Sequence, residues 1–249
     1  MKQIRLVIII IILFSSAKSA IGQKGVTKKT ASGEVSTYST ASADGIGKFY
    51  FGREIAHIMG SANANWLERT SRPQEENTNL AIEKMNLKPA NVIADLGAGT
   101  GYYTFKIAPK VPQGKVYAVE VQDGMIEFLN NRKKELNNNN VEVVKGSNMS
   151  PNLPANSIDM VIMVDVYHEL EHPSEMLQAI NKSLKKDGKI LLMEYKGEYP
   201  SIRIKPLHKT TVAQLNKELG ANGFKLAYRG DFLPIQHFLL YKKSDLPAR

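Results

Sequence analysis

The sequence predicts an α/β protein with a doubly wound, mostly parallel sheet. From Glu76 onward, short apolar runs alternate with stretches in which apolar residues recur at helical spacing. This alternation places helices on both faces of a parallel sheet. In addition, the apolar run that begins at Val92 ends in a glycine-rich turn, which is typical of a buried parallel strand that leads into a helix.

Periodicity and chain breakers place the elements of this sheet in order. A helix near residues 77–87 precedes the first strand, and Pro151 and Pro154 mark a loop before the fourth strand. Pro173 suits the first turn of a helix, because its missing N–H is not needed there. We expect strands at 92–96, 115–119, 141–144, 158–164, 189–194, 226–229 and 237–242, and helices that open at Tyr102, Asp123, Pro173 and Thr211.

Residues 1–22 have the layout of a secretory signal peptide. Lys2 and Arg5 precede nine consecutive apolar residues, and small and polar residues follow. An apolar run of this length is too short to span a bilayer, so we expect no stable transmembrane segment. Cleavage after Gly22 or Ser19 would give an exported protein, periplasmic or secreted, whereas an uncleaved segment would tether the protein to the membrane.

Two further segments precede the α/β domain. Residues 23–45 are rich in Ser, Thr, Gly, Ala and Lys, and we expect a flexible linker there. Within residues 46–76, apolar side chains from Phe49 to Met59 recur at roughly helical intervals, and Trp66 would lie on a second short helix. The sequence therefore predicts an N-terminal helical cap at 46–76, followed by the α/β domain at 77–249.

The composition bounds the possible partners. The chain carries 33 basic and 24 acidic residues, a formal charge of +9, which falls to +6 when residues 1–22 are removed. The basic residues are scattered or lie on apparent helix faces and are not interleaved with aromatic residues, so no nucleic acid is expected as a partner. The chain contains no cysteine, which excludes disulfides and a thiolate nucleophile. The oligomeric state is left open by the sequence.

The turn after the first strand carries the most specific motif. Residues 92–101 read Val-Ile-Ala-Asp-Leu-Gly-Ala-Gly-Thr-Gly, and Glu120 ends the next strand 21 residues beyond Gly99. Glycines let a ligand approach the backbone, and an acidic residue at about this distance accepts hydrogen bonds from ribose hydroxyls. The spacing differs from the Gly-x-Gly-x-x-Gly of dinucleotide sites. Asp95 would repel a pyrophosphate but attract the positive charge of a sulfonium nucleoside.

Residues 92–103, together with Glu120, resemble the first two motifs of class I S-adenosylmethionine-dependent methyltransferases. The resemblance covers roughly residues 77–242 and implies a Rossmann-like, seven-stranded sheet with an antiparallel seventh strand. It also implies S-adenosyl-L-methionine as the cofactor. The implied cofactor contacts are Asp95, Gly97, Ala98, Gly99 and Gly101 at the methionyl part, Glu120 at the ribose, Val121 at the adenine, and Ser147 and Asn148 at the adenine amino group. For Ser147 and Asn148, an ordinary turn is the alternative.

The end of the fourth strand is where the resemblance places groups that meet the methyl acceptor. Asp165, Tyr167 and His168 stand there, and His168 is the best candidate for a general base, with a structural histidine as the alternative. The family's Asn/Asp-Pro-Pro-aromatic motif for amino-group acceptors is missing, so we expect a small-molecule acceptor. No metal site is predicted, because His168, Glu169 and His172 would need further ligands.

These observations together predict an exported S-adenosylmethionine-dependent methyltransferase that acts on a small molecule. Two alternatives from other classes stay open. The first is an exported nucleoside-binding module that does not transfer a methyl group, and the second is a nucleotide-dependent oxidoreductase. Binding of S-adenosylmethionine without turnover would favour the module, and a preference for NAD would favour the oxidoreductase.

Overall fold

The computed structural model describes residues 26–29 and 35–244. The segment 1–22, which the sequence predicts to be a signal peptide, lies outside the described residues. Within the described part, none of the helices combines the length and the apolar character that a membrane crossing requires.

The N-terminal part of the described chain forms a four-stranded antiparallel sheet. Its strands pair in chain order: β1 (Val26–Lys29), β2 (Val35–Tyr38), β3 (Gly45–Tyr50) and β4 (Arg53–Ala56). The segment 23–45, which we expected to be a flexible linker, therefore contributes two strands. Short helices follow, namely a 3-10 turn at Ser61–Asn63, α1 (Ala64–Leu67) and α2 (Arg72–Glu76). We refer to residues 35–76 as the N-terminal layer.

The helix predicted between Phe49 and Met59 is wrong, because this stretch is a β-hairpin. Phe51 and Gly52 form the turn with positive φ values of 49° and 93°, a conformation that a helix cannot contain. The side chains that pack inward are Tyr50 and Ile55, which are 1% and 0% exposed. Ile58, which the helical spacing assigned to the apolar face, is 51% exposed. The second predicted helix, which carries Trp66, is present as α1.

The central sheet has seven strands, as predicted. Its strands are β5 (Val92–Leu96), β6 (Lys115–Glu120), β7 (Val141–Lys145), β8 (Ile158–Val164), β9 (Leu184–Met193), β12 (Phe224–Gly230) and β13 (Phe238–Lys243), in the order β12-β13-β9-β8-β5-β6-β7. β13 is antiparallel to both neighbours, whereas β5 to β9 pair in parallel. β9 begins before the expected residue 189. A small parallel pair, β10 (Tyr195–Lys196) and β11 (Lys209–Thr210), lies apart from this sheet.

Helices cover both faces of the sheet, because successive strand residues point to opposite sides. On one face, Ile93 and Ile162 join a core with the helices α3 (Thr78–Lys84), α4 (Thr104–Ile107) and α5 (Asp123–Glu135). On the other face, Ala94 and Val161 join a second core with α6 (Pro173–Ser183) and α7 (Val212–Ala221). Further 3-10 turns lie at Ala108–Lys110, Tyr167–Glu169 and Pro206–His208. The doubly wound arrangement is thus confirmed.

A buried ion pair holds the N-terminal layer on the central domain. Arg53, the first residue of β4, donates from Nε and Nη2 to the two carboxylate oxygens of Glu218 on α7, at 2.8 and 2.9 Å. Arg53 also donates to the carbonyl oxygen of His168 at 3.1 Å. The Glu218 side chain is fully buried. Two parallel hydrogen bonds of this kind fix both position and orientation, so they set the distance between the layer and the sheet.

We expect Arg53→Ala to lower the free energy of unfolding by about 3–5 kcal/mol, because it leaves the Glu218 carboxylate buried without its partner. Chemical denaturation measures this quantity. Arg229→Ala is the matched control, since Arg229 pairs with Asp231 at 2.9 Å on the exposed surface and solvent screens that pair. Equal losses in the two variants would contradict the anchoring role of Arg53.

Candidate active site

A cavity of about 820 Å³ lies at the carboxyl ends of the parallel strands, which is where α/β sheets bind their ligands. Gly99, Glu120 and Asp165 line it from the ends of β5, β6 and β8. Trp66 and Leu67 line it from α1. The N-terminal layer and the strand ends therefore share the walls of one cavity.

The glycine turn after β5 reaches this cavity at Gly97 and Gly99. Both residues have positive φ values, 70° and 56°, which side-chain-bearing residues rarely adopt. A Cβ atom on Gly99 would lie 2.7 Å from Cδ1 of Leu67, so the side chain that crowds this position comes from the N-terminal layer. The amide N–H of Gly97 donates to the carbonyl oxygen of Val119 at 2.9 Å, which ties the turn to β6.

Glu120, the residue predicted at the ribose, lines the cavity and is 5% exposed. Its Oε2 accepts a hydrogen bond from the Gly99 amide at 3.0 Å. Its Oε1 accepts hydrogen bonds from the amides of Val121 and Gln122, at 2.7 and 3.1 Å. A carboxylate offers about two acceptor positions on each oxygen, so Oε2 keeps capacity for one more donor. Val121, the residue predicted at the adenine, also lines the cavity.

Three of the predicted turn residues, Asp95, Ala98 and Gly101, do not line the cavity. Asp95 is 3% exposed and accepts a hydrogen bond from the Thr104 hydroxyl at 2.6 Å, at the start of α4. Burial raises the pKa of Asp95 to about 6, although the Thr104 hydrogen bond opposes the shift. Asp95 thus links the end of β5 to the start of α4 and does not line the cavity. Any effect of Asp95 on a ligand acts through its charge.

Ser147 and Asn148, which follow β7, line the cavity on the Glu120 side. The Ser147 hydroxyl accepts a hydrogen bond from the Ser150 amide at 3.0 Å, which is the turn that the sequence left as the alternative. The Asn148 side-chain amide donates to Oε2 of Glu171 at 2.9 Å. Its amide nitrogen is therefore engaged away from the strand end.

Asp165 follows β8, is partly buried, lines the cavity and has a positive φ of 54°. Its Oδ2 accepts a hydrogen bond from the Gln236 amide at 2.7 Å, whereas its Oδ1 has no hydrogen-bond partner among the described residues. Burial, followed by the Glu76 charge, raises the pKa of Asp165 well above its ordinary value. Because the raised pKa favours the protonated carboxyl, the unpaired Oδ1 is available to a ligand either as a donor or as an acceptor.

Tyr167, the second predicted catalytic residue, is fully buried and does not line the cavity. Its ring lies under the Arg53 guanidinium, with 5.5 Å from Cζ to the ring centroid. Its amide donates to Oε1 of Glu194 at 2.8 Å. The structure therefore brings Asp165 and His168 together at the cavity and leaves Tyr167 in the packing beneath them.

His168 is 1% exposed, lines the cavity and has partners on both ring nitrogens. Its Nδ1 lies 2.6 Å from Oε2 of the fully buried Glu194, and its Nε2 lies 3.0 Å from Nδ1 of His208. Burial disfavours the charged ring, but the Glu194 carboxylate outweighs this effect and raises the pKa of His168. Burial, together with the charge of His168, lowers the pKa of His208.

Two side chains of this cluster were missed at the sequence level. Glu194 directly follows β9, which pairs in parallel with β8, so an acidic residue at this strand end was a usable signal. Asp44 lies in the N-terminal layer, and its Oδ2 is 3.0 Å from Nε2 of His208. Asp44 and His208 are far apart in the sequence, so no local pattern predicts this contact. Glu169 completes the group, and burial raises the pKa of its carboxyl to about 7.

Residues 94–190 match the family model described as "Methyltransferase domain". This part of the chain is a methyltransferase domain. The fold is similar to that of a SAM dependent methyltransferase from Aquifex aeolicus, with a TM-score of 0.70 and 22% sequence identity. The alignment covers 74% of this chain and 98% of that chain. The central sheet thus has the class I methyltransferase fold.

Two curated relatives of the methyltransferase domain match shorter stretches. (S)-coclaurine N-methyltransferase from Thalictrum flavum subsp. glaucum is 27% identical over 116 residues, 47% of this chain and 32% of the relative. Ubiquinone/menaquinone biosynthesis C-methyltransferase UbiE from Pseudomonas fluorescens (strain Pf0-1) is 25% identical over 167 residues, 66% of this chain and 58% of the relative. The chain therefore spans less than two thirds of the length of either relative.

A second buried charge cluster holds α2 against the methyltransferase domain. Glu76 is fully buried and accepts hydrogen bonds from Arg69 at 2.7 Å, from Arg72 at 2.8 Å and from the Tyr195 hydroxyl at 3.1 Å. Arg69 and Arg72 also line the cavity. Each arginine thus has a carboxylate partner, which holds its side chain in place in the cavity wall.

The raised pKa of Asp95 predicts a pH-dependent effect of Asp95→Asn. The unfolded chain loses this proton near the ordinary pKa, whereas the folded chain keeps it up to about pH 6. Stability therefore falls as the pH rises from about 4 to about 6, by about 2–3 kcal/mol for this group. Asp95→Asn removes the loss, so its free energy of unfolding relative to the natural chain should rise by that amount between pH 4 and pH 7.5.

Urea denaturation at the two pH values measures the difference. Asp187→Asn, at an exposed position, is the matched control for the loss of one negative charge. A gap between Asp95→Asn and the natural chain that is the same at both pH values would show that burial of the Asp95 charge is not costly.

Proposed function

We propose that the protein is an enzyme that transfers a methyl group from S-adenosyl-L-methionine to a small-molecule acceptor. The observation that carries this proposal is the contact between Oε2 of Glu120 and the Gly99 amide, 3.0 Å, at the edge of the cavity. It joins the glycine turn to the acidic strand end that follows it. A methyltransferase domain built around this contact has the two parts that a nucleoside cofactor requires.

The residues at the strand ends fit this cofactor. Glu120 has remaining acceptor capacity for ribose hydroxyls, and Gly97 and Gly99 line the cavity with backbone that carries no side chain, next to Val166 and Leu67. Val121 supplies an apolar wall for the adenine. When bound, S-adenosyl-L-methionine supplies a methyl carbon on a positively charged sulfur.

The acceptor side of the proposed reaction lies at the end of β8. Asp165 presents its unpaired Oδ1, and His168 is oriented by Glu194, so both are suited to hold a polar acceptor in line with the methyl carbon. The cavity volume, about 820 Å³, falls within the range of small-molecule sites. The names of the two relatives refer to coclaurine and to ubiquinone/menaquinone biosynthesis, which supports a small-molecule acceptor rather than a nucleic acid.

Calorimetry with S-adenosylhomocysteine tests the cofactor assignment. Glu120→Gln retains a single acceptor oxygen where the natural residue has two, so we expect binding to weaken tenfold or more, about 1.4 kcal/mol. Glu127→Gln, at an exposed position of α5, is the matched control and should bind as the natural chain does. Thermal melting of both variants separates weaker binding from loss of the fold. Equal affinities in the two variants would contradict the ribose role of Glu120.

Transfer itself is tested with methyl-labelled S-adenosylmethionine and a small-molecule extract. Label in a small molecule, together with S-adenosylhomocysteine, is the expected result. Tight binding of the cofactor without any labelled product would favour a nucleoside-binding module. Tighter binding of NAD than of S-adenosylmethionine would favour an oxidoreductase and overturn the proposal.

We further propose that residues 1–22 act as a signal peptide and that the protein is exported. Support comes from Lys2 and Arg5 before the apolar run and from the small residues after it. The chain recovered from a non-cytoplasmic fraction should begin at Gln23 or Ala20, which N-terminal sequencing determines. A chain that begins at Met1 and is recovered with the cytoplasmic proteins would contradict export.

A further inference from the structure

Three ligand atoms converge where the end of β8 meets the 3-10 turn at Pro206–His208. They are Nε2 of His168, Nδ1 of His208 and Oε1 of Glu169. The two nitrogens are 3.0 Å apart, and each lies 3.8 Å from the carboxylate oxygen. All three residues line the cavity. The sequence predicted no metal site because His168, Glu169 and His172 would need further ligands, and the structure places His208 beside His168 and Glu169.

The dimensions of this triangle suit a bound metal ion. A point equidistant from three atoms at these separations lies about 2.1 Å from each, within the range of roughly 2.0–2.2 Å for zinc–nitrogen and zinc–oxygen bonds. The three atoms surround this point, so an ion there needs only small shifts of the side chains. Two imidazoles and one carboxylate form a ligand set of catalytic zinc sites, which keep a further position open for water or substrate.

A carboxylate lies behind each of the two histidines. The carboxylate of Glu194 lies 2.6 Å from Nδ1 of His168, which favours the proton of the neutral ring on Nδ1 and the lone pair on Nε2. Oδ2 of Asp44 lies 3.0 Å from Nε2 of His208 without the alignment of a hydrogen bond, and its charge favours a proton on Nε2 and the lone pair on Nδ1. Carboxylates that orient ligand histidines in this manner are typical of metal centres.

Without a metal, the two nitrogens share a hydrogen bond at 3.0 Å, and Oε1 of Glu169 accepts a hydrogen bond from the Met59 amide at 3.1 Å. A divalent cation would take the place of the proton between the nitrogens, and the carboxylate oxygen has a further acceptor position for it. Nitrogen ligands favour zinc and related transition metals over magnesium and calcium.

We propose that His168, Glu169 and His208 bind one divalent transition-metal ion, of the zinc type, with an open coordination position toward the cavity. Glu194 is a positioning residue that orients the His168 imidazole as a ligand, and Asp44 acts on His208 through its charge. The site uses atoms on the acceptor side of the cavity and does not involve the glycine turn. It therefore stands apart from the proposed cofactor contacts, and it is tested without S-adenosylmethionine.

The test is a titration of the chelator-treated, full-length chain, without an affinity tag, with Zn²⁺ and separately with Co²⁺. We expect one equivalent of Zn²⁺ to bind and to raise the melting temperature, and Co²⁺ to give visible absorption bands. His208→Ala should weaken Zn²⁺ binding at least 100-fold and abolish the Co²⁺ bands. Glu194→Gln should weaken Zn²⁺ binding by about 10–100-fold, because it acts through the orientation of His168.

His172→Ala is the matched control, because His172 lies nearby in the sequence but outside the cluster. Its affinity for Zn²⁺ should equal that of the natural chain. If His208→Ala does not fold, Glu169→Gln replaces it, with the same expected loss. The proposal is overturned if the folded natural chain takes up no stoichiometric Zn²⁺, or if the cluster variants bind it as tightly as His172→Ala. In that case His168 and His208 are a hydrogen-bonded pair, and the cofactor binding measured by calorimetry is unaffected.

Discussion

The carboxylate of Glu120 is the contact on which the cavity depends. It accepts backbone hydrogen bonds from Gly99, Val121 and Gln122, so it joins the turn after β5 to the turn after β6. A buried carboxylate with three amide donors is well satisfied, and it holds two adjacent strand ends at a constant spacing. The N-terminal layer meets this edge at Leu67, whose Cδ1 lies next to Gly99.

The central domain was predictable because its signals are local and agree with one another. Buried parallel strands read as continuous apolar runs, glycines mark the turn that a ligand approaches, and Pro173 marks the start of α6. The N-terminal layer was not predictable in the same way. Apolar residues at 49, 51, 55, 58 and 59 satisfy a helical spacing by number, and only the turn at Phe51 and Gly52 decides for the hairpin. The turn overrides the helical spacing of the apolar residues because its positive φ values reverse the direction of the chain.

The candidate site likewise has one part that was predictable from the sequence and one part that was not. Gly97, Gly99, Glu120 and Asp165 could be placed at one cavity from the sequence, because each stands directly at a strand end and strand ends meet at one edge of a parallel sheet. The partners of His168 depend on contacts between distant segments. Asp44 comes from the N-terminal layer and His208 from a turn after β10, and neither position has a sequence pattern that ties it to β8. Tyr167 was predicted at the acceptor because it follows a strand end, but its side chain is buried in the core and does not line the cavity.

The shared walls of the cavity have a consequence for how this protein can diversify. The segment that matches the family model, 94–190, supplies the glycine turn and Glu120, whereas Trp66, Leu67 and His208 come from outside it. Loops and added layers tolerate change more readily than the ends of core strands. Selectivity for one acceptor over another can thus drift through substitutions in the flanking segments while the nucleoside cradle stays as it is, so close homologues need not share a substrate.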